Sequence, residues 1–364
     1  MNEKKISIAV IPGDGIGPEV INAALLVLDA TKSVVPIHYE LFPFGADHYL
    51  STGETLPEKT FLRFESQFQG ILTGAFGDPR IPNGAHSKEL ILGLRRRLDL
   101  FINFRPVHLL DERLSPLKTK GLRQIKFDIF RENTEGLYAG IGGKFKAGTD
   151  DEIAIEEMIV TRKGVQRIIR HAFEFANRAK RRRVTLVDKS NVLKFGHEIW
   201  LRTFKEVAKE FPNIESKHLY VDAAAMMLVR NPEEFDVIVT ENMFGDILSD
   251  LGAELQGGMG FAPSVSYHPG KHAYFEPVHG SAPEIAGLQV ANPIAAILTI
   301  SILLSHFGYQ REASLIIEAV KWSLENGFVS KDVVVGRGFG SAESTISIGN
   351  KIAAYVKAKI GDEA

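Results

Sequence analysis

Short β-branched runs alternate along this chain with longer helical patterns. "KISIAVI" leads into "GPEVINAALLVLDAT" and then "PIHYELFPF"; farther on come "FQGILTGAFG", "RRVTLVDKS", "KHLYVDAAAMMLV" and "FDVIVTENMFGDILSDLGAEL". Strand-length apolar runs separated by amphipathic helices predict an α/β protein with a largely parallel sheet. One stretch breaks the rhythm. "DEIAIEEMIVTRKGVQRIIRHAFEFANRA" reads as an alternating strand, Ile153 to Val160, followed by a long amphipathic helix. "PIAAILTISILL", from Pro293, is well short of the ~20 residues a membrane span needs. It predicts a buried helix with Asn292 as N-cap and Pro293 in the first turn. No repeat or low-complexity linker interrupts the pattern.

The 364 residues suffice for two domains or one large divided one. Forty-three Lys and Arg nearly balance 45 Asp and Glu, so no charge excess points to nucleic acid or an anionic membrane. The basic run Lys180 to Arg183 follows the long helix and reads as its solvated C-terminus. Cysteine is absent, which excludes disulfides, thiolate zinc sites and a cysteine nucleophile. The basic start "MNEKK" precedes an apolar run that stops at Pro12, too early for a signal peptide. A cytoplasmic location is the expectation.

Six stretches carry candidate chemistry. "IPGDGIGPEV" follows a strand and opens a helix, but Gly13, Gly15 and Gly17 are spaced G-x-G-x-G rather than G-x-G-x-x-G. Pro18 and Glu19 would put a carboxylate where a phosphate should sit, so the stretch reads as a tight strand-to-helix turn. In "FGDILSDLGAELQGG" the four-residue spacing puts Asp246 and Asp250 on one helix face, where like charges need a cation between them. "LGLRRRLDLFINFRP" embeds Arg95 and Arg105 among Leu and Phe, and "FRENTEGLY" adds Arg131 and Tyr138. Taken singly these arginines are structural; together with the aspartates they suggest a polycarboxylate site bridged to a metal. "LVDKSNVL" sets Lys189 beside Asp188 at the end of an apolar strand. Such positions collect active-site residues in open α/β sheets, although an ordinary ion pair explains the lysine equally well. "FEPVHGSAPEIAGLQVANP" combines Gly, Pro and small residues with Glu276, His279 and Glu284, a composition that lets backbone amides reach a phosphate and leaves an acid for a ribose diol.

These motifs, taken in their order along the chain from Ile11 to about Thr345, resemble the β-decarboxylating dehydrogenases that act on 3-isopropylmalate, isocitrate, homoisocitrate, tartrate or D-malate. The resemblance implies a two-domain α/β fold with a large mixed sheet flanked by helices, not a Rossmann fold. Residues 1–102 plus 258–364 would form the cofactor-side domain and 103–257 the dimerisation domain, with the site in the cleft between them. It also implies Mg²⁺ or Mn²⁺ held by Asp246 and Asp250, with Asp222 supplied by the other subunit of a homodimer. Arg95, Arg105 and Arg131 would clamp substrate carboxylates, with Ile91, Leu92, Asn191, Val192 and Asp222 completing the substrate site. Lys189, also from the other subunit, would assist removal of the hydroxyl proton while hydride passes to the nicotinamide, and Tyr138 would help protonate the enolate carbon. NAD would lie against Glu276, His279, Gly280, Ser281, Ala282, Pro283, Glu284, Ile285 and Asn292.

Two departures from the family pattern bear on specificity. "VGRGFGSAEST" carries Arg337 and Phe339 where an aspartate before paired glycines is usual, so a 2′-phosphate could be met there. Glu284 would repel that phosphate, and NAD is favoured. Lys88 replaces the glutamate typical of isopropylmalate enzymes, while Ile91 and Leu92 stand where two leucines receive the isopropyl group. Lys88 is expected to turn to solvent, leaving the aliphatic pair to select 3-isopropylmalate. "RENTEGLYAGIGG" looks more like the isocitrate and tartrate branches, which remain the alternatives. A catalytically silent regulatory subunit is the alternative of another class; the retained arginines, Tyr138, Lys189 and three aspartates argue against it.

Overall fold

A computed structural model describes residues 5–121, 123–334 and 337–361. The basic N-terminal start and Val335 and Gly336 of the C-terminal loop lie outside the described residues. In chain order the first segment contains β1 (Ile6–Ile11), α1 (Gly17–Ala30), β2 (Ile37–Leu41), α2 (Ala46–Thr52), α3 (Glu58–Gln67), β3 (Gly70–Thr73), α4 (Ala85–Lys88) and α5 (Leu94–Arg97). The middle holds β4 (Ile102–His108), β5 (Lys126–Glu132), β6 (Gly136–Phe145), β7 (Ile153–Ile159), α6 (Arg162–Arg178), β8 (Arg183–Asp188), α7 (Gly196–Ala208), β9 (Glu215–Tyr220), α8 (Val221–Arg230), β10 (Val237–Thr240) and α9 (Asn242–Leu255). The last segment adds β11 (Pro263–Tyr267), β12 (Ala273–Pro277), α10 (Ile294–His306), α11 (Gln310–Glu325), α12 (Lys331–Val334) and α13 (Thr345–Gly361).

The chain forms two compact units. One comprises the described residues of Met1–Leu100, Leu109–Leu122 and Ala253–Ala364; the other Phe101–His108 and the described residues of Arg123–Gly252. In the first unit the strands run β2-β1-β3-β12-β11, with three parallel pairings and an antiparallel one, β12–β11. In the second they run β4-β5-β10-β8-β9, again three parallel pairings and an antiparallel one, β4–β5. The expectation of a largely parallel sheet is met, and the antiparallel pairs make it mixed. The β6–β7 hairpin stands apart as its own two-stranded sheet. Its outward Ile141, Phe145, Ile153 and Ile155 are exposed.

The first unit's core packs Phe42, Phe44, Phe61, Phe64 and Phe68 against Leu90, Leu94 and Leu98 of the α4–α5 stretch. Burial of such large side chains supplies the main favourable term in folding. In α10 the Asn292 side chain accepts the Ile294 N–H at 3.0 Å, so the asparagine caps the helix and Pro293 lies at its threshold. Among the described residues no helix is long and apolar enough to cross a membrane.

The "PGDG" turn is closed by protein. Gly13 and Gly15 have φ of 78° and 57°. The Ile16 N–H donates to the Ser281 carbonyl at 2.8 Å, and a Cβ on Gly15 would lie 1.9 Å from that oxygen. The space a pyrophosphate takes in a Rossmann turn is filled here by backbone.

Candidate active site

The second unit builds a carboxylate site from one helix and two strands. In α9, Asp246 and Asp250 lie one turn apart on one face, 32 % and 47 % exposed. Glu241 accepts the Met243 and Phe244 N–H groups at 2.9 and 2.7 Å, closing the helix's N-terminus. The register of β4 on β5 pairs Asn103 with Arg131, so Arg105, two residues on, projects from the same face. Both arginines are buried. Arg131 donates through Nε to Asn242 Oδ1 at 2.9 Å and through Nη1 to Asp246 Oδ1 at 2.6 Å. Arg105 Nη1 donates to Ser249 Oγ at 2.5 Å and lies 3.2 Å from Asp246 Oδ1 and 3.4 Å from Asp250 Oδ1. The cation that the spacing of the two aspartates demands is therefore, within this chain, the Arg105 guanidinium.

Close approach of helix and strand depends on Gly245. A Cβ there would stand 2.5 Å from Arg131 Cγ and 2.7 Å from its Cβ. Tyr138, near the start of β6, donates its hydroxyl to Asp246 Oδ2 at 3.0 Å. Burial, reinforced by the Asp246 carboxylate, raises the phenol above its ordinary pKa and keeps it a proton donor.

Lys189 and Asp222 form a second, separate station. Lys189 follows β8 and Asp222 sits in the first turn of α8; Lys189 Nζ donates to Asp222 Oδ1 at 2.7 Å. The lysine's partner is thus not its neighbour Asp188. That buried carboxylate accepts from Ser190 N–H at 3.1 Å and lies 2.8 Å from His218 Nε2. The Lys189 N–H donates to Nδ1 of buried His197, whose pKa burial lowers. Asp222 is 66 % exposed, and the hydrogen bond from Lys189 holds its carboxyl below the usual range. Asn191, Val192 and Phe195, which follow Lys189 in the chain, are exposed. Among the described residues no three acidic or histidine side chains converge as a metal-holding group, so one chain does not bring Asp222 to Asp246 and Asp250.

In the first unit, Arg95 of α5 forms a buried ion pair with Glu276 of β12, a contact between two residue types that sequence reasoning assigned to substrate and cofactor. Ile91 and Leu92 lie on a π-helical turn, Glu89–Gly93, and are partly exposed, whereas Lys88 is exposed to solvent. The 278–292 loop presents Gly280, Pro283 and Glu284 at the surface, with Ser281 buried and Ala282 at φ 38° leading into the turn Pro283–Ile285. Loss of hydration lowers the His279 pKa. Arg337 donates to the Gly257 carbonyl at 2.9 Å, and Phe339 is buried beneath the Arg113 guanidinium, 3.9 Å from the ring centroid. Sequence reasoning did not single out Glu241, Gly245, Asn242, Ser249, His197 or His218. Only the place of Glu241 before the helix offered a signal, that of an N-cap.

The "Isocitrate/isopropylmalate dehydrogenase" family model matches residues 7–352. A 3-isopropylmalate dehydrogenase from Clavibacter michiganensis is 46 % identical over 88 % of this chain and 92 % of its own length. One from Thermobifida fusca is 42 % identical over 98 % of this chain and 99 % of its own. The crystal structure of isocitrate dehydrogenase from Methylococcus capsulatus superposes with a TM-score of 0.87 at 37 % identity, over 97 % of this chain and 99 % of that one. A family match over residues 7–352, together with relatives above 40 % identity along nearly the whole chain, shows that the chain belongs to the isocitrate/isopropylmalate dehydrogenase family.

Proposed function

We propose that this protein oxidises and decarboxylates 3-isopropylmalate to 2-oxo-4-methylpentanoate and CO₂, with NAD and Mg²⁺ or Mn²⁺, in leucine biosynthesis. It would do so as a cytoplasmic homodimer with shared sites. The observation that carries this reading is the α9 face, where two partly exposed carboxylates meet Arg105, Arg131 and Tyr138.

The donor set suits a hard divalent cation, since Asp246 and Asp250 offer oxygens only and leave room for substrate oxygens. Asp222, directed outward on Lys189, supports a third ligand reaching the site from a second copy. Exposed Ile141, Phe145, Ile153 and Ile155 on the β6–β7 hairpin, and Met226 and Val229 on α8, supply apolar surface for that copy. When bound, the ion polarises the substrate hydroxyl and carboxylate, and the nicotinamide supplies the hydride acceptor.

The chain's own groups do the rest. Arg95, Arg105 and Arg131 bind the two carboxylates. Lys189, brought by the second copy together with Asp222, assists removal of the hydroxyl proton as hydride leaves for the nicotinamide and the carbinol becomes a ketone; the C–C bond to the β-carboxylate then breaks to release CO₂. The enolate carbon left behind takes a proton from the Tyr138 hydroxyl, which is kept protonated by its surroundings. For the cofactor, exposed Glu284 suits a ribose diol, and Arg337, engaged with a backbone carbonyl, argues against a 2′-phosphate site.

Partly exposed Ile91 and Leu92 favour a branched alkyl group over a third carboxylate, whose desolvation there would be unfavourable. Isocitrate is the second reading, favoured by Lys88 and by the likeness to the Methylococcus enzyme. A panel of 3-isopropylmalate, isocitrate, D-malate and tartrate, followed by NADH absorbance with Mg²⁺ or Mn²⁺, separates them. The alkyl substrate should be preferred over D-malate by about 10–200-fold in kcat/KM, and Leu92→Arg should reverse part of that preference. Preference for isocitrate or malate under the same conditions overturns the substrate assignment.

A further inference from the structure

Asp14, from the "PGDG" turn, is buried with three donors around its carboxylate. Oδ1 accepts the Ala46 N–H at 2.6 Å; Oδ2 accepts the Gly77 N–H at 2.9 Å and lies 2.8 Å from His86 Nε2. His86 is wholly buried. It belongs to α4, two residues before Lys88 and five before Ile91. Of residues 82–89 it alone is buried; the next anchor is Leu90, in the phenylalanine core.

Two features show what this contact is for. Two backbone N–H groups already satisfy Asp14, and His86 Nδ1 is buried without a hydrogen-bond partner. An apolar side chain would fill the space and avoid that orphaned atom, so what the histidine adds at this position is its aimed bond to Asp14. The segment it anchors is also irregular. Asn83 and Gly84 enter α4 at φ 59° and 58°, and the Glu89–Gly93 turn is π-helical, with the Leu94 N–H reaching the Glu89 carbonyl. A π-turn holds one more residue than the α-helical turn it can relax to, and each residue of an α-helix turns the chain by about 100°.

Resting on the substrate reading above, we infer that the Asp14–His86 contact is a register lock for the substrate-selecting helix. By fixing the first turn of α4 it maintains the π-turn, and so holds Ile91 and Leu92 in place for the alkyl group while Lys88 faces solvent. Both residues act by positioning, and neither touches substrate.

His86→Leu fills the site and removes the bond, whereas His86→Gln can return a donor to the place of Nε2. For 3-isopropylmalate, His86→Leu should raise KM about tenfold with kcat nearly unchanged, leave the KM for NAD and D-malate within about twofold, and be rescued by His86→Gln. Amide hydrogen exchange should accelerate over residues 82–93 in His86→Leu and recover in His86→Gln. A His86→Leu enzyme with unchanged discrimination and unchanged exchange overturns the lock, as does uniform loss of turnover on every substrate. If the wild type prefers isocitrate, the substrate reading fails by itself. The lock is then judged by exchange and by discrimination between isocitrate and D-malate.

Discussion

Two charged stations of the second unit differ in construction. On α9, Asp246 and Asp250 are gripped by arginines that are themselves buried, Arg131 being among the largest fully buried side chains. Lys189 and Asp222 pair at the surface, and the aspartate keeps two-thirds of its exposure. Buried guanidinium groups require the carboxylates, so the α9 arrangement belongs to the fold. A surface pair of this type contributes little to stability, so its presence points to another cause. On the reading proposed above, that cause is a site completed by a second copy.

The largest effect expected from breaking the comparison is on turnover. Asp246→Asn should lower kcat/KM by about 10³-fold or more while the circular dichroism stays native, because a hard ligand and a partner of Arg131 and Tyr138 are lost together. Mixing Asp246→Asn chains with Asp222→Asn chains should restore part of the activity, since a hybrid dimer contains one intact ligand set. Full activity of Asp246→Asn at limiting metal, or no recovery in hybrids shown to have formed, sinks the shared-site reading.

Stability should separate the stations next. Arg131→Met removes the Nε donor to Asn242 and one of the donors to Asp246, and should lower the unfolding free energy by about 2 kcal/mol. Lys189→Met should leave the urea midpoint where it was while abolishing proton removal. Equal destabilisation by the two variants would erase the distinction drawn between them.

The smallest expected effect is spectroscopic. Tyr138 titrates above its ordinary value through burial and then through Asp246. In metal-free Asp246→Asn its pKa should fall back towards 10, because one of the charges opposing the phenolate is gone while burial remains. An NMR titration of the tyrosine resonances that leaves this pKa unmoved would show that Asp246 does not act on the phenol.

What the sequence made legible was local. Four-residue spacing placed Asp246 and Asp250 on one face of α9, and the strand rhythm located β1, β8 and β10. The spacing of Gly13, Gly15 and Gly17 spoke correctly against a pyrophosphate turn; its physical reason, the Ser281 carbonyl against Gly15, lies far along the chain. Contacts of that kind were hidden. Nothing near His86 announces Asp14, nothing near Arg95 announces Glu276, and the pairing of Lys189 with Asp222 depends on β8 and β9 lying side by side. Periodicity also carries no mark of a π-turn, since Leu90 and Leu94 keep the spacing an α-helix would have.

That turn has an evolutionary consequence. A π-turn is equivalent to one residue inserted into an otherwise regular helix. Between Glu89 and Gly93, deletion of a single codon would accordingly be a second route to a regular helix, besides loss of the bond from His86 to Asp14. Such an event would rotate Lys88 and the residues before it against Ile91 and Leu92 in one step. On the substrate reading proposed above, selectivity in this segment could then change through chain length as well as through substitution.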